Sequence, residues 1–86
     1  MKRLGKVLHI SKQNEIIIRG DEKEFSGSMR DMPRINYSVL DKSIKRVGKI
    51  TSIFGPVDWP YFAVKPDKKI ANSDLQEFIQ ERMYMQ

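Results

Sequence analysis

Three isoleucines in succession, Ile16-Ile17-Ile18, lie between Glu15 and Arg19, and they restrict the fold more than any other stretch of the chain. β-Branched side chains are stiff at χ1 and suit extended backbone. Neighbouring residues of a strand point to opposite sides. Three adjacent isoleucines therefore ask for a strand covered on both faces, or for one face on the core and the other at a contact. Lys6-Val7-Leu8-His9-Ile10 is a second short β-branched run, and Ser11-Lys12-Gln13-Asn14 between the two has the length and composition of a hairpin loop.

Further strands are expected at 36–40, 44–54 and 61–66. Asp41-Lys42-Ser43 forms a turn-rich break between the first two, with Asp41 read as an Asx-type turn residue rather than a catalytic acid. Gly48, inside a strand pattern, predicts a bulge or a sharp bend where a small barrel turns a corner. Gly55-Pro56-Val57-Asp58-Trp59-Pro60 is a turn stiffened by two prolines. Residues 21–34 carry almost no apolar periodicity and read as a mobile or functional loop, or as a lid in which Phe25, Met29 and Met32 cover a barrel end. Toward the C-terminus, Leu75, Phe78, Ile79 and Met83 fall at helical spacing. Ser73-Asp74-Leu75-Gln76 fits a capping box, so periodicity alone predicts a helix over 74–83. The whole of 1–86 is one domain.

Much chemistry is excluded. There is no cysteine, and His9 is the single histidine, which leaves no disulfide, no thiol chemistry and no ordinary transition-metal ligand set. His9 alternates with Val7 and reads as a packed or edge histidine, not a general base. No phosphate-binding glycine loop or nucleophile elbow is present, and no cofactor is expected. No apolar run nears the roughly 18 residues of a membrane span. These features point to a soluble, cytoplasmic, non-catalytic protein that does not engage membranes and is monomeric when isolated. Sixteen basic residues against eleven acidic give a net charge of +5. That balance suits an anionic neighbour such as nucleic acid, but lysines also simply solvate a surface and discourage edge pairing. Lys42, Lys45, Arg46 and Lys49 are the candidate weak RNA contacts. Their spacing splits them between faces of a strand.

The run from Arg46 to Pro66, above all Phe54-Gly55-Pro56-Val57 with Pro60-Tyr61, resembles the signature of the small Gar-type subunit of H/ACA ribonucleoproteins, in its tail-less archaeal form. Lys2–His9 with Ile17-Ile18-Arg19 resembles that family's opening hairpin, and Pro33-Arg34-Ile35-Asn36 with Val39-Leu40-Asp41 its middle segment. Asn36 stands where the family usually has glycine, a substitution asparagine tolerates because it too visits positive φ. The 21–32 connection is longer than usual.

The resemblance implies a mainly all-β fold, a small six-stranded closed β-barrel of the translation-factor type. It shortens the helix to 73–79 and makes 82–85 a closing strand. It also implies a subunit with no catalytic residue of its own, docked on the pseudouridine synthase catalytic subunit. Its expected part is to control a mobile synthase loop so that substrate RNA loads and product leaves, meeting guide and substrate RNA mainly indirectly. The expected partner-binding residues are Phe54, Gly55, Pro56, Val57, Trp59, Pro60 and Tyr61. Phe54 also suits the core, whereas Val57, Trp59 and Pro60 suit a contact. Two other readings remain open at this level: a ribosome-maturation barrel of the same class, and a free-standing basic RNA-binding barrel.

Overall fold

The computed structural model describes residues 2–20, 33–55 and 59–85. Six strands, β1 (Lys2–Ile10), β2 (Ile16–Gly20), β3 (Ser38–Leu40), β4 (Arg46–Phe54), β5 (Tyr61–Pro66) and β6 (Arg82–Met85), close into a barrel in the order β1-β2-β5-β4-β3-β6. Every pairing is antiparallel. The sequence-based expectation of a six-stranded closed barrel with one short helix holds. Closure gives each of the six described strands a partner on both sides, which reduces the template for edge-to-edge association.

Alternation sorts the side chains. Leu4, Val7, Ile16, Ile18, Val39, Val47, Ile50, Phe62, Val64, Met83 and Met85 fill the interior, and Leu75 joins them from outside the sheet. All three isoleucines of β2 are buried, but only Ile16 and Ile18 belong to the interior cluster. Ile17 lies on the outer side, opposite His9 on one neighbour and Ala63 on the other.

Several boundaries differ from the sequence reading. β1 begins at Lys2 rather than Lys6, because its polar first half is held by pairing with β6 and not by apolar periodicity. β3 starts only at Ser38: Asn36 adopts φ 77°, a left-handed conformation that breaks extension, and its N–H donates to Ile50 O at 2.7 Å. Ile44 and Lys45 belong to the turn before β4, not to the strand. A register shift between Val7 and His9 turns His9 outward, so it is exposed rather than packed.

Gly48 does sit at an irregularity, where β4 shifts register against β3. Its need for glycine has a second cause: a Cβ there would collide with the carbonyl of Lys65 on β5. Another irregularity, at Thr51, brings the threonine hydroxyl 2.8 Å from a Glu15 carboxylate oxygen and 3.2 Å from Ala63 O.

The C-terminal helix is a 3₁₀ helix over Asn72–Phe78. The capping box is not formed. Ala71 is the N-cap and no side chain caps the end. Leu75 is fully buried, and Gln80 at φ 75° reverses the chain. Gln80 N–H then donates to Val7 O and Val7 N–H to Glu81 O, both at 2.9 Å, which starts the pairing that Arg82–Met85 continues along β1. The longer helix expected from periodicity fails because Met83 takes its burial from a strand.

Of the 21–34 loop, residues 21–32, including Phe25, Met29 and Met32, lie outside the described residues. Pro33 is buried and the Arg34 carbonyl accepts from Tyr37 N–H at 3.1 Å. No helix among the described residues is long and apolar enough to cross a membrane.

Candidate functional site

Where β4 ends and β5 begins, Phe54 and Tyr61 face each other as a cross-strand pair, and both project outward. The residues one step inward, Ile53 and Phe62, form the neighbouring pair toward the core. The two outer rings stack with centroids 5.6 Å apart and an interplanar angle of 22°. Gly55 follows at φ 93°, a conformation that glycine adopts without strain, and a Cβ there would strike the Tyr61 ring. Glycine at position 55 therefore leaves room for the Tyr61 ring beside the end of β4.

Trp59 lies on the other side of Tyr61. The Arg19 guanidinium rests over its ring at 3.5 Å from the centroid, and the same guanidinium is 5.5 Å from the centroid of Tyr61. The Trp59 indole N–H donates to Gly20 O, and Gly20 N–H donates to Pro60 O at 2.8 Å. This reciprocal stitch ties the β4–β5 turn to the end of β2. A stacked guanidinium beside an aromatic face gains from the ring quadrupole. The outcome is a continuous outer surface running Phe54, Tyr61, Arg19, Trp59.

The expected docking residues separate in this geometry. Phe54 is 45% exposed and lies outside the core cluster, so the core alternative for it does not hold. Pro60 is buried and Trp59 only half-buried; Pro60 shapes the turn from beneath rather than projecting as an apolar knob. Pro56 and Val57 lie outside the described residues. Sequence reasoning missed Arg19, since nothing in a strand-period pattern says which outward cation will find an aromatic partner two elements away. The indole's hydrogen bond was equally hidden, because its acceptor is a main-chain carbonyl 39 positions away.

The sequence-adjacent cations do not form one patch. Lys42 Nζ lies 3.8 Å from Glu81, and Arg46 Nε lies 3.4 Å from Asp67. Lys45 flanks a depression that also holds Asp41, Asp74 and Glu77. Lys49 stands directly opposite Lys65 on β5 and lines a depression with Arg46, Lys65, Asp67 and Lys68. Asp41 acts as the turn residue expected, its carboxylate accepting from Ser43 N–H at 2.8 Å and Lys45 N–H at 3.0 Å. Among the described residues no group of histidine, aspartate and glutamate is arranged to hold a metal ion.

Comparison with known proteins places this geometry among relatives. The family model described as the Gar1/Naf1 RNA binding region matches residues 1–86. An uncharacterized protein of Methanothermobacter thermautotrophicus is 32% identical over 85 residues, covering 99% of this chain and 83% of the relative. The H/ACA ribonucleoprotein complex subunit GAR1 of Encephalitozoon cuniculi is 34% identical over 70 residues, covering 81% of this chain and 34% of the relative. The chain thus spans about a third of that protein's length. A solved structure of the Gar1 domain of Naf1 superposes with a TM-score of 0.72 at 16% identity, covering 98% of this chain and 82% of the other, and so shares the fold.

Proposed function

The chain belongs to the Gar1/Naf1 RNA-binding-region family. From that premise we propose that it is a non-catalytic accessory subunit of an H/ACA RNA-guided pseudouridine synthase particle. It docks on the catalytic subunit and promotes substrate RNA loading and product release. The observation that carries this reading is the Phe54–Tyr61 stack beside Trp59, tied to β2 by the Trp59 indole N–H donating to Gly20 O and Gly20 N–H donating to Pro60 O. Rigid aromatic anchors lose little conformational freedom on association and are the usual centres of binding energy. Phe54, Trp59 and Tyr61 are the contact side chains, Gly55 and Pro60 shape the backbone that presents them, and Pro56 and Val57 are the further contact candidates of this stretch.

The subunit supplies no reacting group. Its effect is on a conformational step, since docking beside a mobile element of the synthase biases that element between loading and release. Direct RNA contact is secondary. Lys42, Lys45, Arg46 and Lys49 contribute weak, sequence-indifferent attraction that fades with salt.

The test is a reconstituted particle of synthase, guide RNA and substrate RNA, assayed with and without this chain. Multiple-turnover pseudouridine formation should rise when the chain is added, and the chain alone should form none. Turnover by the isolated chain would overturn the non-catalytic assignment. An unchanged multiple-turnover rate would overturn the role in loading and release.

A further inference from the structure

A single row of outward side chains crosses the barrel beside the aromatic stack. Lys6 on β1 is the register partner of Arg82 on β6 and of Arg19 on β2, and Arg19 is in turn the partner of Tyr61. Adjacent strands lie about 4.8 Å apart, so three cations occupy roughly 10 Å of surface. Like charges directly opposite one another are destabilising in a sheet. The row lines a shallow groove of about 260 Å³ whose rim also carries Arg3. Gly5 and Gly20, themselves register partners, also line it, together with Leu8 and Trp59. Gly5 cannot take a side chain, because a Cβ would collide with the Arg19 carbonyl. No carboxylate is among the described residues that line the groove.

We infer that this groove receives acidic side chains of the same protein partner that covers Phe54 and Tyr61. The inference rests on the docking reading above and names the chemistry of the partner's surface: carboxylates set beside an apolar patch. Arg19 belongs to both features, stacked on Trp59, near Tyr61 and within the cationic row. A partner seated on the aromatic pair must therefore also meet Arg19, and its adjoining surface faces Lys6 and Arg82. Protein fits better than RNA here. The cationic row ends after three strands, and Leu8 and the Trp59 indole line the groove beside its cations, where RNA would ask for a longer basic track. Complementary charge at such a rim speeds encounter and makes affinity sensitive to salt.

The experiment is calorimetric titration of the H/ACA synthase subunit with the full chain and with Lys6→Ala/Arg82→Ala, at salt from about 50 to 500 mM. A single-stranded RNA of mixed sequence is titrated in parallel, and melting curves check that the variant folds. The variant should bind the synthase about tenfold more weakly at low salt, with a flatter salt dependence that converges on wild type at high salt. Equal affinity and equal salt dependence for the two proteins would overturn the inference while leaving the docking reading intact. Loss of RNA binding with unchanged synthase binding would assign the groove to RNA and overturn it too. Failure of the wild-type chain to bind the synthase at any salt would overturn the docking reading, and this inference with it.

Discussion

Phe54 and Trp59 show why neighbouring aromatic residues of one turn need separate treatment. Phe54 is exposed, lies outside the core cluster and stacks on Tyr61, so Phe54→Ala should lower the stability of the free chain by about 1 kcal/mol, the size of an aromatic pair. The same change should weaken synthase binding by about 2 kcal/mol or more if Phe54 is an anchor. Trp59→Ala removes an indole hydrogen bond to Gly20 O together with the cation–π contact to Arg19. It should destabilise the isolated fold by about 1–3 kcal/mol, besides any loss of affinity. Melting curves and titrations on the two variants separate the effects. A Phe54→Ala variant that melts several kcal/mol lower would mean that the ring is a packing residue after all.

Two hairpins at the element scale carry the same connection with different chemistry. In the first, Ser11 N–H donates to Glu15 O and Asn14 N–H to Ser11 O, with Asn14 at φ 63°. In the second, Asp41 N–H donates to Lys45 O and Ile44 N–H to Asp41 O, with Ile44 also at φ 63°. Asparagine tolerates that backbone; a β-branched residue is strained in it. Ile44 is 66% exposed, so burial does not compensate. Ile44→Asn should therefore raise stability by about 1 kcal/mol, and a fall in melting temperature would show that the turn is not strained as described. Gly48→Ala should act in the opposite direction, by about 2 kcal/mol or more, because the Lys65 carbonyl is main chain and cannot step aside. Alternation and turn residues were legible in these elements, including the strand spacing, the Asx turn at Asp41 and the irregularity at Gly48. The positive φ of Asn36 was legible from the glycine it replaces, but the strand limit it sets was not, and the positive φ of Ile44 leaves no trace in hydropathy. The C-terminal helix misled for a related reason. Met83 satisfies helical spacing from Leu75 and Ile79 yet faces the core from β6, and burial periodicity does not distinguish the two over so few residues.

The whole molecule is a closed barrel whose last strand bridges β1 and β3. A chain ending before Arg82 would open both strands and remove Met83 and Met85 from the core, so it should lose its cooperative melt and associate in solution. A monomeric, cooperatively folding truncation would show that closure is dispensable. Closure also explains what the surface can do. With each described strand flanked on both sides, outward side chains are the main surface for recognition, and the outer row from Arg82 to Phe54 joins three cations to two stacked rings. The barrel was readable from strand spacing and from the family resemblance. The row of Arg19, Lys6 and Arg82 was not, since it arises only when strands distant in sequence become neighbours around the barrel. The most direct measurement is a titration of the purified synthase subunit with the wild-type chain and with Phe54→Ala, both shown to melt alike. Saturable one-to-one binding by the wild type, weakened by at least about thirtyfold in the variant, is the expected result. Equal binding by the two proteins would put the docking surface on another side of the barrel and contradict the assignment.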